Sequence, residues 1–159
     1  MTAMTNWTKK HSLLAFFVLA YALSWLVEIP QALAAQGVIQ AEIPFSLHYL
    51  AAYGPMCAAL IVTGVTMGRH GLRELLGRMT KWRLNPGWWL VALAPLGFYL
   101  LVAAVTWLLQ SEPIDFVAMG QVDFLQPLGL AALPLWVLTF GIGEETGWRG
   151  FALPRLQEG

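Results

Sequence analysis

Two adjacent carboxylates, Glu144 and Glu145, are the side chains in this sequence whose type and spacing could do chemistry. On a helix, Glu145 precedes Arg149 by four residues, which is the favourable order for an ion pair. Successive helical residues point about 100° apart, so Glu144 faces another direction and has Trp148 as its neighbour four residues on. This spacing predicts that Glu145 is a neutralised structural acid and that Glu144 faces a cavity.

An indole packed against Glu144 would change the chemistry of that carboxylate. Removing water disfavours the charged form, so Trp148 would make Glu144 a stronger base, as a general base working near neutral pH requires. Both acids could instead be ordinary interfacial charges, because Glu144 is the first residue after an apolar run. Spacing and composition leave these two interpretations open.

Glycines surround the two acids. Gly143 and Gly147 are four residues apart and Gly150 lies near the same helix face, which leaves a smooth stripe for close helix packing. Together with Gly141, these glycines would weaken an isolated helix by about 1 kcal/mol each. We expect neighbouring elements to hold this segment, or its backbone to depart from a regular helix.

Long apolar runs must position these residues. Charged residues make up 11% of the chain, against about a quarter in soluble domains. A helix needs about 20 residues to cross a hydrocarbon core, and four runs are long enough: residues 13–35, 47–67, 88–109 and 124–143. Their length and Leu/Ala content favour helices over strands. The predicted fold for residues 1–159 is a single all-α membrane domain, a polytopic bundle of about four transmembrane helices.

The basic residues predict how this bundle is oriented. All nine Lys and Arg side chains lie before the first run, between the second and third, or after the fourth. The positive-inside rule then gives a multi-pass cell-membrane protein whose N-terminus is cytoplasmic. Alternatively, Lys9-Lys10, the first run and Ala32-Leu33-Ala34 form a cleaved signal peptide, which would not invert the later spans.

The connector between the second and third runs has a helical pattern of its own. Its apolar residues recur at helical spacing, with most of its arginines elsewhere on the wheel: Leu72, Leu75, Leu76 and Met79 against Arg69, Arg73 and Arg78. This pattern predicts a short cytoplasmic amphipathic helix on the inner leaflet, with its cations near the phosphates of membrane lipid.

Other partners and metals find little support in the sequence. A formal net charge of zero gives no basic surface for nucleic acid. Cys57 is the single cysteine, so no internal disulfide can form. The three histidines, His11, His48 and His70, are predicted to be interfacial or connector residues, and no metal ligand set is predicted in this chain.

The segment Glu144-Glu145-Thr146-Gly147-Trp148-Arg149-Gly150-Phe151, followed by Leu153-Pro154-Arg155-Leu156, closely resembles the first motif of the CPBP family. These are the CAAX-prenyl-endopeptidase and bacteriocin-processing (Abi) intramembrane proteases, whose motif reads Glu-Glu-x-x-x-Arg. More loosely, Tyr53-Gly54-Pro55, residues 71–76 and Trp82-Arg83 are similar to the family as well. The resemblance implies hydrolysis of a polypeptide, prenylated or not, at the membrane. It makes Glu144 and Glu145 the catalytic acids, and Gly147, Trp148 and Arg149 motif residues.

In the family, the first glutamate acts with histidines on later helices, either directly on water or beside a divalent metal such as zinc. Those histidines belong to Phe-x-x-x-His and His-x-x-x-Asn/Asp motifs, and no histidine follows Glu144 here. We therefore expect this chain to be the N-terminal part of such a protease and inactive by itself. Two other classes stay open: a transporter or ion-binding membrane protein, and a non-catalytic partner or immunity protein on the same scaffold.

Overall fold

The computed structural model of the chain describes residues 3–81, 83, 85–110 and 131–158. Every regular element in these ranges is helical, which confirms the predicted all-α class for this part of the chain. The helices are α1 (Ala3–Lys10), α2 (Ser12–Ala35), α3 (His48–Ala51), α4 (Gly54–Met79), α5 (Pro86–Gln110), α6 (Ala132–Trp136), α7 (Glu145–Gly147) and α8 (Leu153–Gln157). A 3₁₀ turn covers Phe45–Leu47, and two π-helical segments, π1 (Val137–Glu144) and π2 (Trp148–Ala152), flank α7.

Three helical stretches are long and apolar enough to cross a membrane: Ser12–Ala35, Phe45–Met79 and Pro86–Leu109. They contain the first three apolar runs identified in the sequence. The fourth, residues 124–143, begins outside the described residues. From Ala132 onward the chain is helical without a break to Gln157, so the helix continues past Gly143, where the apolar run ends. The apolar run stops at the first carboxylate, but the backbone hydrogen bonding of the helix does not.

The described residues belong to two compact units, built from Met1–Thr80 with Pro134–Gly159 and from Lys81–Leu133. The second, smaller unit contains α5. Asn85 caps this helix: its Oδ1 accepts a hydrogen bond from the Gly87 backbone nitrogen at 3.0 Å, and Pro86 opens the first turn. Within this unit, none of the described residues from Pro86 to Leu109 is buried.

Helices α2 and α4 form the frame of the larger unit and approach each other closely at Gly54. A Cβ atom at Gly54 would lie 2.9 Å from the Ser24 backbone nitrogen and 3.0 Å from the Ala20 carbonyl oxygen. Ser24 adds a hydrogen bond across the same contact, donating from Oγ to the carbonyl oxygen of Ala51 at 2.8 Å. The middle of α2 is therefore held against the start of α4.

The chain returns from α2 towards α3 through a left-handed residue. Gly37 has a φ of 70°, and the Val38 nitrogen donates to the Leu33 carbonyl oxygen at 2.9 Å. The Gly37 nitrogen donates to the Ala34 carbonyl oxygen at 3.0 Å, which completes a Schellman ending of the helix. Glycine suits this position because other residues strain at positive φ.

Helix α4 is kinked at Gly68, whose φ of 64° and ψ of −153° are not helical. The arm after the kink contains the predicted amphipathic helix of the connector. Its apolar face is divided: Leu75 is buried in the core with Phe151, whereas Leu76 is 49% exposed. Part of the expected lipid-facing stripe therefore packs on the protein.

Candidate functional site

Glu145 and Arg149 form the ion pair that their spacing predicts. The Arg149 Nε atom lies 2.9 Å from Oε2 of Glu145. That oxygen is buried and accepts no aligned hydrogen bond from the described residues, so the contact is an ion pair in which the N–H points away. The Arg149 side chain is 75% exposed, which makes this a pair at the surface of the chain.

The backbone around the two acids is not a regular α-helix. π1 ends at Glu144 and π2 begins at Trp148, with one α-helical turn between them. This confirms the expectation that a segment so rich in glycine either leaves α geometry or is held by neighbours. Short π-helical stretches widen a helix locally and are frequent at functional sites.

The same segment is also held by its neighbours, through the glycine stripe. A Cβ at Gly143 would lie 2.7 Å from the Ala52 carbonyl oxygen, and one at Gly147 would lie 2.6 Å from the carbonyl carbon of Pro55. Only glycine permits both approaches, because these atoms belong to the backbone and cannot rotate away. Farther along, Arg155 Nη2 reaches Met67 Sδ at 3.6 Å, so this helix runs beside α4 in the same direction.

Trp148 is fixed by an aromatic cluster on α2. Its ring contacts the rings of Phe16 edge-on at 5.3 Å, Phe17 in a stack at 6.0 Å, and Tyr21 at 6.3 Å between centroids. Phe16 is fully buried and stacks on Phe151 at 4.9 Å. The indole is therefore held in a defined orientation by the first half of α2.

Glu144 lines a cavity of about 270 Å³ within the larger unit. Trp148 contributes to the wall, as do Tyr21 and Trp25 from α2 and Phe140 from π1. Phe140, Glu144 and Trp148 follow one another at intervals of four residues. No ion pair or hydrogen bond within the described residues holds the Glu144 carboxylate. The prediction that one acid is paired and its neighbour faces a cavity therefore agrees with the geometry.

The cavity lies beside the middle of α2. The wall includes Ala20, Ser24 and Glu28, which occupy the central and following turns of Ser12–Ala35. Glu144 therefore lies against the central part of α2 and away from its ends. This helix is long and apolar enough to cross a membrane. The apolar run ends at Gly143, but the helix that carries both acids continues past that point.

Two further ionisable residues, Glu28 and His48, line the same cavity, and sequence reasoning missed them. His48 Nδ1 lies 2.7 Å from Oε1 of Glu28, and the imidazole stacks on Phe45 at 5.3 Å. From the sequence, we expect His48 to be an interfacial or connector histidine. It does lie in the short α3 after the connector, but its side chain is half-buried in the cavity wall and contacts Glu28 of α2. No local spacing could have revealed this, since Glu28, His48 and Glu144 belong to three separate helices.

The described residues do not supply a metal site by themselves: they contain no group of three or more His, Cys, Asp or Glu side chains placed to hold an ion. The chain matches no family model, no curated protein and no solved structure. The family resemblance thus depends on the motif residues alone.

Proposed function

We propose that this chain carries the acidic half of an intramembrane endopeptidase site of the CAAX-processing type, with Glu144 as its general base. One observation supports the proposal above all: Glu144 faces a cavity beside the middle of α2, while its neighbour Glu145 is already paired with Arg149. An unpaired carboxylate at membrane depth is costly, so such groups are retained where they have a function.

The proposed membrane setting is supported by the length and composition of the apolar helices. Ser12–Ala35, Phe45–Met79 and Pro86–Leu109 are each long and apolar enough to cross a membrane. The proposed orientation follows the basic residues, with the N-terminus and the helix after Gly68 in the cytoplasm. In that orientation, Arg155, which sits over the Phe151 ring at 3.7 Å, lies at the cytoplasmic end of the final helix.

The proposed reaction begins with a water molecule beside Glu144. The carboxylate accepts a proton from this water while the water oxygen attacks the carbonyl carbon of a peptide bond. The aromatic wall formed by Tyr21, Trp25, Phe140 and Trp148 would exclude bulk water and accept an apolar side chain or prenyl group of the polypeptide. Glu145 and Arg149 would keep the turn that carries Glu144 in place.

The test is cleavage of plain and prenylated peptides by the full-length gene product in lipid vesicles. Glu144→Gln keeps the shape and removes the base, so we expect the rate to fall by about 10²–10⁴-fold with no loss of folded protein. Glu42→Gln is the matched control, since Glu42 is an exposed carboxylate in the connector after α2. Unchanged cleavage by the Glu144 variant would remove the protease proposal.

A transporter is the second candidate, because Glu28, His48 and Glu144 together could also carry protons or a cation across the membrane. The same vesicles separate the two functions. A pH-sensitive dye inside them would report a proton flux that depends on Glu144 in a transporter, whereas a protease would cleave peptide without this flux.

A further inference from the structure

The contact with Glu28 fixes the orientation of the His48 imidazole in the cavity. A carboxylate can only accept, so the Nδ1 atom of His48 must carry the hydrogen that points at Oε1 of Glu28 across 2.7 Å. The described residues make no other hydrogen bond to this imidazole. Its second nitrogen, Nε2, is therefore available to a group bound in the cavity.

The surroundings hold the ring in that orientation. Phe45 stacks on one side of His48 at 5.3 Å, and the Tyr49 and Phe140 rings lie 6.0 and 6.3 Å away. These three aromatic side chains limit the rotation of the imidazole ring. Such second partners of histidine commonly fix both its tautomer and its direction.

We propose that His48, oriented by Glu28, is the proton donor that works opposite Glu144 in this cavity. The inference rests on the proposed function, since it assigns the second half of the same reaction. Glu144 and His48 line the same cavity from different helices, so both could reach a peptide bond bound there. It also gives a role to the histidine that the sequence pattern left without one.

The proton and bond changes balance with these two residues alone. Glu144 takes one proton from water as the carbon–oxygen bond forms at the peptide carbonyl. The carbon–nitrogen bond then breaks, and the leaving nitrogen takes a proton from Nε2 of the His48 imidazolium. The proton held by Glu144 returns to Nε2 after the products leave. The net change is one water consumed, one carboxylic acid and one amine formed.

The ionisable groups around His48 belong to the wall of this cavity. Glu28 on α2 and Glu144 at the end of π1 are its acidic side chains, and Tyr21 is its remaining ionisable side chain. Glu145 is paired with Arg149 instead.

The decisive experiment compares two substrates that differ only in the leaving group. A peptide amide needs a proton on its leaving nitrogen, whereas an ester of an acidic phenol does not, and both need the water that Glu144 activates. With the full-length gene product in vesicles, we expect His48→Gln to lower kcat on the amide by about 10²-fold or more and to change the ester rate little. His70→Gln, in the exposed arm of α4, is the control and should change neither.

Glu28→Ala provides a variant that leaves the imidazole in place but unoriented. It should lower kcat on the amide less than His48→Gln and leave the ester rate unchanged. Nitrogen-15 spectra of the histidine-labelled 159-residue chain, which has three histidines to assign, should show that Nδ1 of His48 carries a hydrogen-bonded hydrogen and that this hydrogen bond is lost in the Glu28 variant. If His48→Gln does not fold, this pair of measurements carries the test.

The outcomes distinguish a failure of the His48 inference from a failure of the proposed protease function. If Glu144→Gln abolishes both reactions while His48→Gln lowers neither, Glu144 returns its own proton to the leaving amine and the role of His48 is refuted. An equal loss on amide and ester would make His48 a structural residue and refute the inference as well. If Glu144→Gln changes the cleavage rate of neither substrate, the proposed function itself is refuted.

Discussion

The closest contact between the acidic segment and its neighbour gives a stability prediction that needs no assumption about function. Gly147 lies against Pro55 so tightly that a Cβ would come within 2.6 Å of both the carbonyl carbon and the carbonyl oxygen of that residue. These are backbone atoms at the start of α4, so no rotamer change can relieve the overlap. Gly147→Ala must therefore push the acidic helix away from α4.

The control is Gly141→Ala, six residues earlier on the same helix. There the nearest atom to a new Cβ is the Trp136 carbonyl oxygen at 3.7 Å, an ordinary contact. Both substitutions gain the helix propensity of alanine, about 1 kcal/mol, so this gain cancels in the comparison. What remains is overpacking, which typically costs about 1–3 kcal/mol. At about 2–4 °C per kcal/mol, Gly147→Ala should melt roughly 2–12 °C below Gly141→Ala.

Cys57 allows the melting temperatures of both variants to be measured with a thiol-reactive dye. It is the single cysteine and is half-buried, so a dye that fluoresces on reaction with thiols reports its exposure as the protein unfolds in detergent. Both variants keep Cys57, which makes their melting curves comparable. If Gly147→Ala melts at or above the temperature of Gly141→Ala, the acidic helix does not lie against Pro55. The arrangement of the cavity would then have to be revised.

Two other predictions concern the charges. Because the Arg149 side chain is 75% exposed, its pair with Glu145 should contribute about 1 kcal/mol or less, so Arg149→Ala and Glu145→Gln should each lower the melting temperature by no more than about 4 °C. A larger drop in both would mean that the pair is buried in the assembled protein. For topology, Gln40→Cys and Thr80→Cys are made in a Cys57→Ala background and treated with a membrane-impermeant thiol reagent. Intact cells should label position 40 alone, and labelling of position 80 from outside would invert the orientation.

The helices and the local pairing within them could be read from the sequence. Apolar runs longer than 20 residues have few other structures available to them, and three of the four predicted runs lie in helices long and apolar enough to span a membrane. The Glu145–Arg149 pair followed from residue spacing, because helix geometry places residues four apart on one face. The glycine stripe was also readable, since only residues without a side chain allow such close packing.

The end of the acidic helix could not be predicted in the same way. Hydropathy changes at Glu144, and an isolated sequence offers no reason for a helix to continue through two carboxylates and several glycines. The contacts of Gly143 with Ala52 and of Gly147 with Pro55 provide that reason, because they hold the segment against α4. Only these contacts move Glu144 from the end of an apolar run to a position beside the middle of α2.

The chain by itself therefore determined the helices and the pairs within one helix, because the geometry of a single helix is fixed by residue spacing. The tertiary structure alone decided which residues of different helices share the cavity. Glu28, His48 and Glu144 meet there through the packing of α2, α3 and the acidic helix. That packing depends on many weak contacts, including the aromatic cluster around Trp148, and none of them leaves a periodic signal in the sequence.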